Sequence, residues 1–585
     1  MSNNKKIELL KSLLREKNSN YYLLPRTDKF INEFISEEDE RVKWLTGFSG
    51  SFAFVIISLD LNIIFTDGRY IDQIKKEVNC KTFKIININK QDPISWLKSN
   101  VKTKEKIVLD SWLFTSKNYN LLKKEMDRVG CEIFLSNEIF IDNIWKKKIK
   151  NKSERIFVRK KKYSGDTFEK KIGIIKKIFK KKKINNFFFS SPESISWLLN
   201  IRSNKIKYTP LALCFLLINI DDKNYFFGKK NSELIKYFGR KINIFDINSL
   251  KKIFINFSIL NNQIYIDPNN TPYFIENFLK SIGVDVKYEK DPCINLKLIK
   301  NSVEIKGSKS SHLRDGVSIC KFLYWLDNLI KKKKKVTEIL AAKKLYDLRK
   351  KNKLFFGLSF ETISGYGENG SIIHYRVSKK TNKTFKNNNL YLFDSGAQYF
   401  DGTTDVTRTI NIGDSVNKEH KEMFTRVLKG NISLTNFIFS KKTTGNILDE
   451  IAREYLKQIN CDYPHGTGHG VGSFLSVHEG PISISKKSKT VFNEGMLITN
   501  EPGYYKTNNY GIRIENILLV VKKKNLLTFE VLTLVPIDTK LIDTKLLNLQ
   551  DKKWLNNYHN KVFNKIYKFL NENEVKWLKE KTKPI

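Results

Sequence analysis

At 585 residues the chain is long enough for several domains, and its 41% apolar content is enough to give each of them a core. With 28% charged and 12% aromatic residues it falls outside the disordered class and outside the small disulfide-stapled folds. The formal net charge of +44 rests on 89 lysines against 16 arginines; recognition of nucleic acid leans on arginine forks, so this excess, with abundant Asn, Ile and Phe, reads as A/T-rich coding composition and no nucleic-acid partner is expected.

The N-terminal stretch spaces Ile7, Leu10 and Leu14 as an amphipathic helix does and has no continuous apolar core of a secretory signal. Strand-like runs (AFVIISL, LNIIFT, KIVLD) then alternate with helical ones to about residue 150, as in an α/β domain. A dense basic segment, 145–162, predicts a boundary. A second unit opens on Ser164-Gly165-Asp166-Thr167, a helix cap ahead of Phe168, Ile172, Ile175 and Phe179, and continues through NNFFFS and LALCFLLINI. The lysine runs 180–183 and 331–335 read as solvated helix ends. From about Asn301 two long helices precede a series of strands: NNLYLFDSGAQYF, TDVTRTINI, GMLITNEP and GIRIENILLVV. The expected domains are therefore 1–155, 156–299 and 300–585. The cleanest apolar run, Leu211 to Ile220, is about half of a membrane span. Six cysteines stand singly along the chain, as in a reducing compartment, and a cytoplasmic protein with no membrane partner is expected.

Four of the seven histidines, His374, His465, His469 and His478, cluster in the last third, whereas His312, His420 and His559 are scattered and read as ordinary polar groups. Asp394 ends one apolar strand and Asp405 begins the next. Asp401-Gly402 supplies the turn of a hairpin between them, which leaves the two carboxylates for another role. In YPHGTGHGVGSFLSVHEGP three histidines lie among glycines that let ligands converge, with neither a Walker A ending nor a zinc-protease helix motif. Glu501 follows GMLITN. Glu515 shares a face with Arg513 in a single strand, where an inward carboxylate needs a partner; pairing with Arg513 is the plain structural reading and metal binding the functional one. Together Asp394, Asp405, His469, Glu501 and Glu515 offer four carboxylates and one imidazole. Such an oxygen-rich set suits two divalent ions, Mn²⁺ first and Co²⁺ or Zn²⁺ as alternatives, which activate water for hydrolysis.

The motifs GSIIHYRV, YLFDSGAQYFDGTTDVTRT, HGTGHGVGSFLSVHEGP, NEPGYY and GIRIEN occur in order, with WLTGFSGS and TDGRY upstream. In these the sequence resembles aminopeptidase P, the X-prolyl aminopeptidases of the pita-bread metallopeptidase superfamily, in their long three-domain form. The resemblance implies an α/β (α+β) fold with two creatinase-like N-terminal α/β domains ahead of a pita-bread catalytic domain. It implies that Asp394, Asp405, His469, Glu501 and Glu515 hold the two ions, Asp405 and Glu515 bridging them. His374, His465 and His478 match the substrate-side histidines, and Arg69 matches an arginine that reaches toward the active-site entrance. The HYRV wording after His374 and the lysine-rich insertions depart from the family and bear on specificity at the rim.

The expected activity is removal of an N-terminal residue ahead of proline, from peptides, by a chain that forms a homodimer. The X-Pro bond is a tertiary amide with no N–H, which ordinary peptidases handle badly. A metal-bridging hydroxide is expected to attack the carbonyl, Glu501 to carry the proton to the leaving nitrogen, His465 and His478 to stabilise the oxyanion, and His374 to orient the substrate. Two rival readings are a prolidase restricted to X-Pro dipeptides and an inactive pita-bread module used for binding.

Overall fold

A computed structural model of the chain describes residues 2–145, 154–221, 223–258 and 263–585. Residues 146–153 of the basic boundary segment lie outside these residues. The chain divides into two compact units, Met1–Lys160 with Asp166–Cys293, and Lys161–Gly165 with Ile294–Ile585.

The first unit contains two six-stranded mixed sheets of one topology. In the first, Tyr21–Pro25 lies centrally, antiparallel to Phe54–Ser58 and parallel to Lys106–Asp110. In the second, Asn186–Phe189 takes the same place between Phe215–Asn219 and Gln263–Ile266. No short-period repeat is visible in the sequence because the duplication is one of strand order. The helix Asn3–Glu16 packs Ile7, Leu10 and Leu14 inward. Thr167 caps Phe168–Lys182 by accepting from the Lys170 amide. Of LALCFLLINI only Phe215–Asn219 forms a strand. The sheets meet through the segments that follow their equivalent fifth strands: Trp112 stacks on Phe274 with centroids 4.0 Å apart, and the Ser116 amide donates to the Thr271 carbonyl.

The long helix Ser302–Lys331 of the second unit is held at its start by Asn301, which accepts from the Val303 and Glu304 amides while Glu304 reaches back to the Asn301 amide. Gly307 lets it lie against the Asp401 turn; a Cβ there would sit 2.2 Å from the Asp401 carbonyl oxygen. Strands Ile363–Tyr366, Asn389–Ser395 and Val406–Ile412 form one antiparallel sheet, and Glu479–Ile484, Gly468–Gly470, Leu497–Asn500, Asn516–Lys523 and Leu526–Val531 form another. A large apolar core, including Val427, Leu428, Leu448, Ile498 and Leu518, joins the latter to the helices Lys418–Asn436 and Gly445–Lys457. The lysine runs at 180–183 and 331–335 are exposed helix ends. Among the described residues no helix is long and apolar enough to cross a membrane.

Two local expectations are corrected. The excursion between Asp394 and Asp405 is more than a turn: Ala397–Tyr399 leaves to pair with Gly402–Thr403 on one side and Phe355–Leu358 on the other, and the turn itself is Phe400-Asp401. GIRIENILLVV is not one strand. It breaks at Ile514-Glu515 into Tyr510–Arg513, paired with Gly503–Lys506, and Asn516–Lys523 in the larger sheet.

Candidate metal centre

Asp394 comes from the end of Asn389–Ser395, opposite Thr407, so the next strand presents Asp405 beside it. His469 lies in Gly468–Gly470, and Glu501 and Glu515 stand where Leu497–Asn500 ends and Asn516–Lys523 begins. Gly468 permits this close layering, since a Cβ there would lie 2.1 Å from the Thr499 carbonyl oxygen. Ligand atoms of Asp405, His469 and Glu515 lie within 4.8 Å of one another. The His469 Nε2 is 3.7 Å from Asp405 Oδ2 and 3.5 Å from Glu501 Oε1.

Electrostatics mark the cluster as one made for cations. Burial pushes Asp405 well above the usual carboxylate range, with the neighbouring charges of Asp394 and Glu501 adding to it. Burial does the same to Glu515, reinforced by Asp405, Glu501 and Asp394. Glu501 is pushed up to about 7 by burial, against the opposing pull of Arg513. Asp394 Oδ1 and Asp405 Oδ1 are buried and accept no hydrogen bond. At His469, Nδ1 lies 2.9 Å from the Gly470 carbonyl oxygen, an acceptor only, so Nδ1 carries the proton and the Nε2 lone pair faces the carboxylates. Orphaned carboxylate oxygens and an oriented imidazole lone pair are what divalent ions would satisfy.

The supporting contacts are specific. Arg513, fully buried, donates Nη2 to Asp394 Oδ2 at 2.8 Å and Nη1 to the Tyr505 hydroxyl at 2.6 Å, so it pairs with Asp394 and not with Glu515. Thr407 Oγ1 donates to Glu515 Oε2, and Thr499 Oγ1 to Glu501 Oε1. His465 points Nδ1 at the Gly466 carbonyl and accepts at Nε2 from Tyr505, 2.9 Å away. The His478 ring lies 4.4 Å from that of His469, edge to face. Next to it Glu479 is fully buried and paired with Lys300 and, at 3.4 Å, Lys297. His374 follows the short turn Gly367–Ser371, beside the Ile373 carbonyl, which accepts from Arg513 Nη2 at 3.3 Å. Tyr505 escapes the sequence reading although it stands in NEPGYY, because nothing local shows that its hydroxyl joins Arg513 to His465. Arg69 lies in the first unit, half-buried and held by Asp67 through Nε and Nη2 at 2.9 and 2.7 Å. The scattered histidines have structural surroundings: His312 Nδ1 meets the Ser308 carbonyl, His559 Nε2 accepts from the Ile537 amide, and His420 packs on Tyr510.

Two pairs of opposed carboxylates and a histidine, set between a three-stranded and a five-stranded sheet, define a metallopeptidase centre, and the model of metallopeptidase family M24 matches residues 313–522. The C-terminal region of that family matches 525–585, and the creatinase/prolidase N-terminal domain matches twice, at 6–136 and 147–304. The chain is similar to a probable Xaa-Pro aminopeptidase P of Paracoccidioides brasiliensis, 35% identical over 98% of both chains. It is equally similar to one of Aspergillus fumigatus, 35% identical over 99% of this chain and 92% of the other. The chain belongs to the Xaa-Pro aminopeptidase P family. Its fold matches the crystal structure of an X-prolyl aminopeptidase from Caenorhabditis elegans, described as a cytosolic enzyme with a di-nuclear active site, with a TM-score of 0.95, 32% identity and complete coverage of both chains. The architecture is thus two creatinase-like domains followed by a pita-bread domain.

Proposed function

We propose that the chain is a metal-dependent X-prolyl aminopeptidase that hydrolyses the bond between an N-terminal residue and a following proline in peptides. The observation that carries this reading is the convergence of Asp405, His469 and Glu515 on one point in a chain that aligns along its whole length with Xaa-Pro aminopeptidases P. Asp394, Asp405, His469, Glu501 and Glu515 would hold two divalent ions, Mn²⁺ by choice of an oxygen-rich set. Divalent ions held there would supply Lewis-acid chemistry, activating a water and polarising the scissile carbonyl.

The remaining chemistry belongs to the chain. Glu501 accepts a proton from the attacking water and delivers it to the proline nitrogen, which leaves as a secondary amine. His465, with Nε2 held by Tyr505, and His478, packed edge to face on His469, are the groups placed to stabilise the developing oxyanion. His465 and His374 then shape the pocket for the substrate backbone, His465 fixed by Tyr505 and His374 by the Arg513 contact to its neighbour. Arg69 would engage the part of the peptide beyond proline. The domain limits 1–155, 156–299 and 300–585, a homodimer and a cytoplasmic location complete the reading; the C. elegans relative, described as cytosolic, supports the last.

The test is substrate choice. Purified protein loaded with Mn²⁺ is expected to release the first residue from X-Pro-Pro peptides and to leave X-Ala-Pro peptides intact. Cleavage of X-Pro dipeptides alone would make it a prolidase instead.

A further inference from the structure

Glu501 and Glu515 arrive at the site from the same fork in the five-stranded sheet. Asn500 and Asn516 form the last pair of the ladder between Leu497–Asn500 and Asn516–Lys523; beyond it the two chains diverge, each delivering a glutamate. At such a fork the backbone groups lose their ladder partners and must find others, since a buried backbone group left without a partner is costly. The amides are provided for: Glu501 N donates to the Thr467 carbonyl and Glu515 N to the Thr407 carbonyl.

The carbonyls preceding the two glutamates are taken by a single side chain. Asn431 stands on the inner face of Lys418–Asn436, wholly buried, between Val427, Leu428, Ile432 and Leu434 of the apolar core. A carboxamide at such a position is unfavourable unless every polar atom is matched. Its Nδ2 donates to the Asn500 carbonyl at 2.9 Å and to the Ile514 carbonyl at 3.1 Å, and its Oδ1 accepts from Asn516 Nδ2 at 3.3 Å. Asn500 Nδ2 returns the contact to the Asn431 carbonyl at 2.9 Å. Arg408, also buried, closes the far side by donating to the Glu515 carbonyl and to Asn516 Oδ1.

We infer that Asn431 is a positioning residue of the metal centre: one planar amide ties the backbone before Glu501 to the backbone before Glu515 and so fixes the spacing of the two carboxylates. Leu or Ala there would fill or empty the space without the tie, and the fork would be free to widen. The inference rests on the metal-dependent reading above, and the experiment separates the two.

Equilibrium dialysis of the full chain against Mn²⁺, with bound metal counted by atomic emission, is compared for wild type, Asn431→Ala, Asn431→Ser and Leu428→Ala, alongside metal-free thermal unfolding. Leu428→Ala removes core contacts from the same helix and none of the hydrogen bonds at the fork. Wild type is expected to bind two ions. Asn431→Ala should bind about 10- to 100-fold more weakly, as loss of an orienting contact does elsewhere. Asn431→Ser, which keeps one donor and folds more readily, should fall between. Leu428→Ala should keep wild-type affinity even where its melting temperature drops as far. Wild-type affinity in both Asn431 variants, or equal weakening in Leu428→Ala, overturns the inference while leaving the peptidase reading intact. A wild type that binds no metal fails the peptidase reading itself.

Discussion

Arg513 places its Nη2 2.8 Å from Oδ2 of Asp394, while Oδ1 of the same carboxylate is buried without a partner. The guanidinium holds one half of Asp394 and leaves the other half directed at the site. A buried pair broken by removing one member costs about 3–5 kcal/mol, because the remaining charge is left without compensation. Arg513→Met should therefore destabilise the metal-free protein by about that amount in urea unfolding, and Mn²⁺ should restore part of it by supplying another cation. A variant as stable as wild type without metal would remove Arg513 from this role.

Asp405 presents the reverse case. Burial and the charges of Asp394 and Glu501 penalise its ionised form, so once it ionises the metal-free protein carries a cost that a neutral amide avoids. Asp405→Asn is expected to melt higher than wild type without metal, yet to lose at least about 100-fold in activity and to bind fewer ions. Near wild-type turnover with full metal content would strike Asp405 from the ligand set.

The same carboxylates set the pH dependence. Glu501 is raised to about 7, and Asp405 and Glu515 are raised well above their ordinary values, so each binds its proton more tightly folded than unfolded. Stability then falls as pH rises from the unfolded carboxylate range near 4 through 7, by a few kcal/mol in order of magnitude. Asp110, buried and raised to about 7, adds a contribution of the same sign in the first unit that metal does not touch. Unfolding midpoints at pH 6 and pH 8 should thus differ more for the metal-free protein than for the Mn²⁺-loaded one. Equal differences would show that the cluster does not titrate in this way.

Arg69 is anchored by both oxygens of Asp67, which accounts for its orientation but leaves its outer edge partly exposed. Binding energy from the distal part of a peptide helps position the reacting bond. Arg69→Ala is expected to lower kcat/KM about tenfold or more for peptides of three or more residues and to spare X-Pro dipeptides, with metal content unchanged. Equal losses on both lengths would mark a stability effect, and no loss would return Arg69 to a surface turn.

The centre was legible in sequence where its chemistry is local. Asp394 and Asp405 at strand ends, the glycine-spaced histidines and the glutamate after GMLITN are visible as residue types in a pattern. What local reading misses is which of them meet. Arg513 and Glu515 look like partners two apart on one strand, yet the strand breaks at Ile514, Arg513 turns to Asp394, and Glu515 takes Thr407 from another sheet. Tyr505 and Asn431 carry no chemical signature of their own; their importance lies in partners 8 to 85 residues away, a distance that periodicity cannot bridge. The duplicated topology of the first unit is hidden for a similar reason, because strand order is conserved between two segments whose side chains differ.

Metal-dependent cleavage ahead of proline is the property on which all of these residue roles depend. Protein stripped of metal by a chelator and dialysed is assayed on an X-Pro-Pro peptide by mass spectrometry while Mn²⁺ is returned in steps. The prediction is no release of the first residue from the stripped protein, and release that rises to a plateau at two ions per chain. Cleavage undiminished by stripping, or none after full loading, would contradict it.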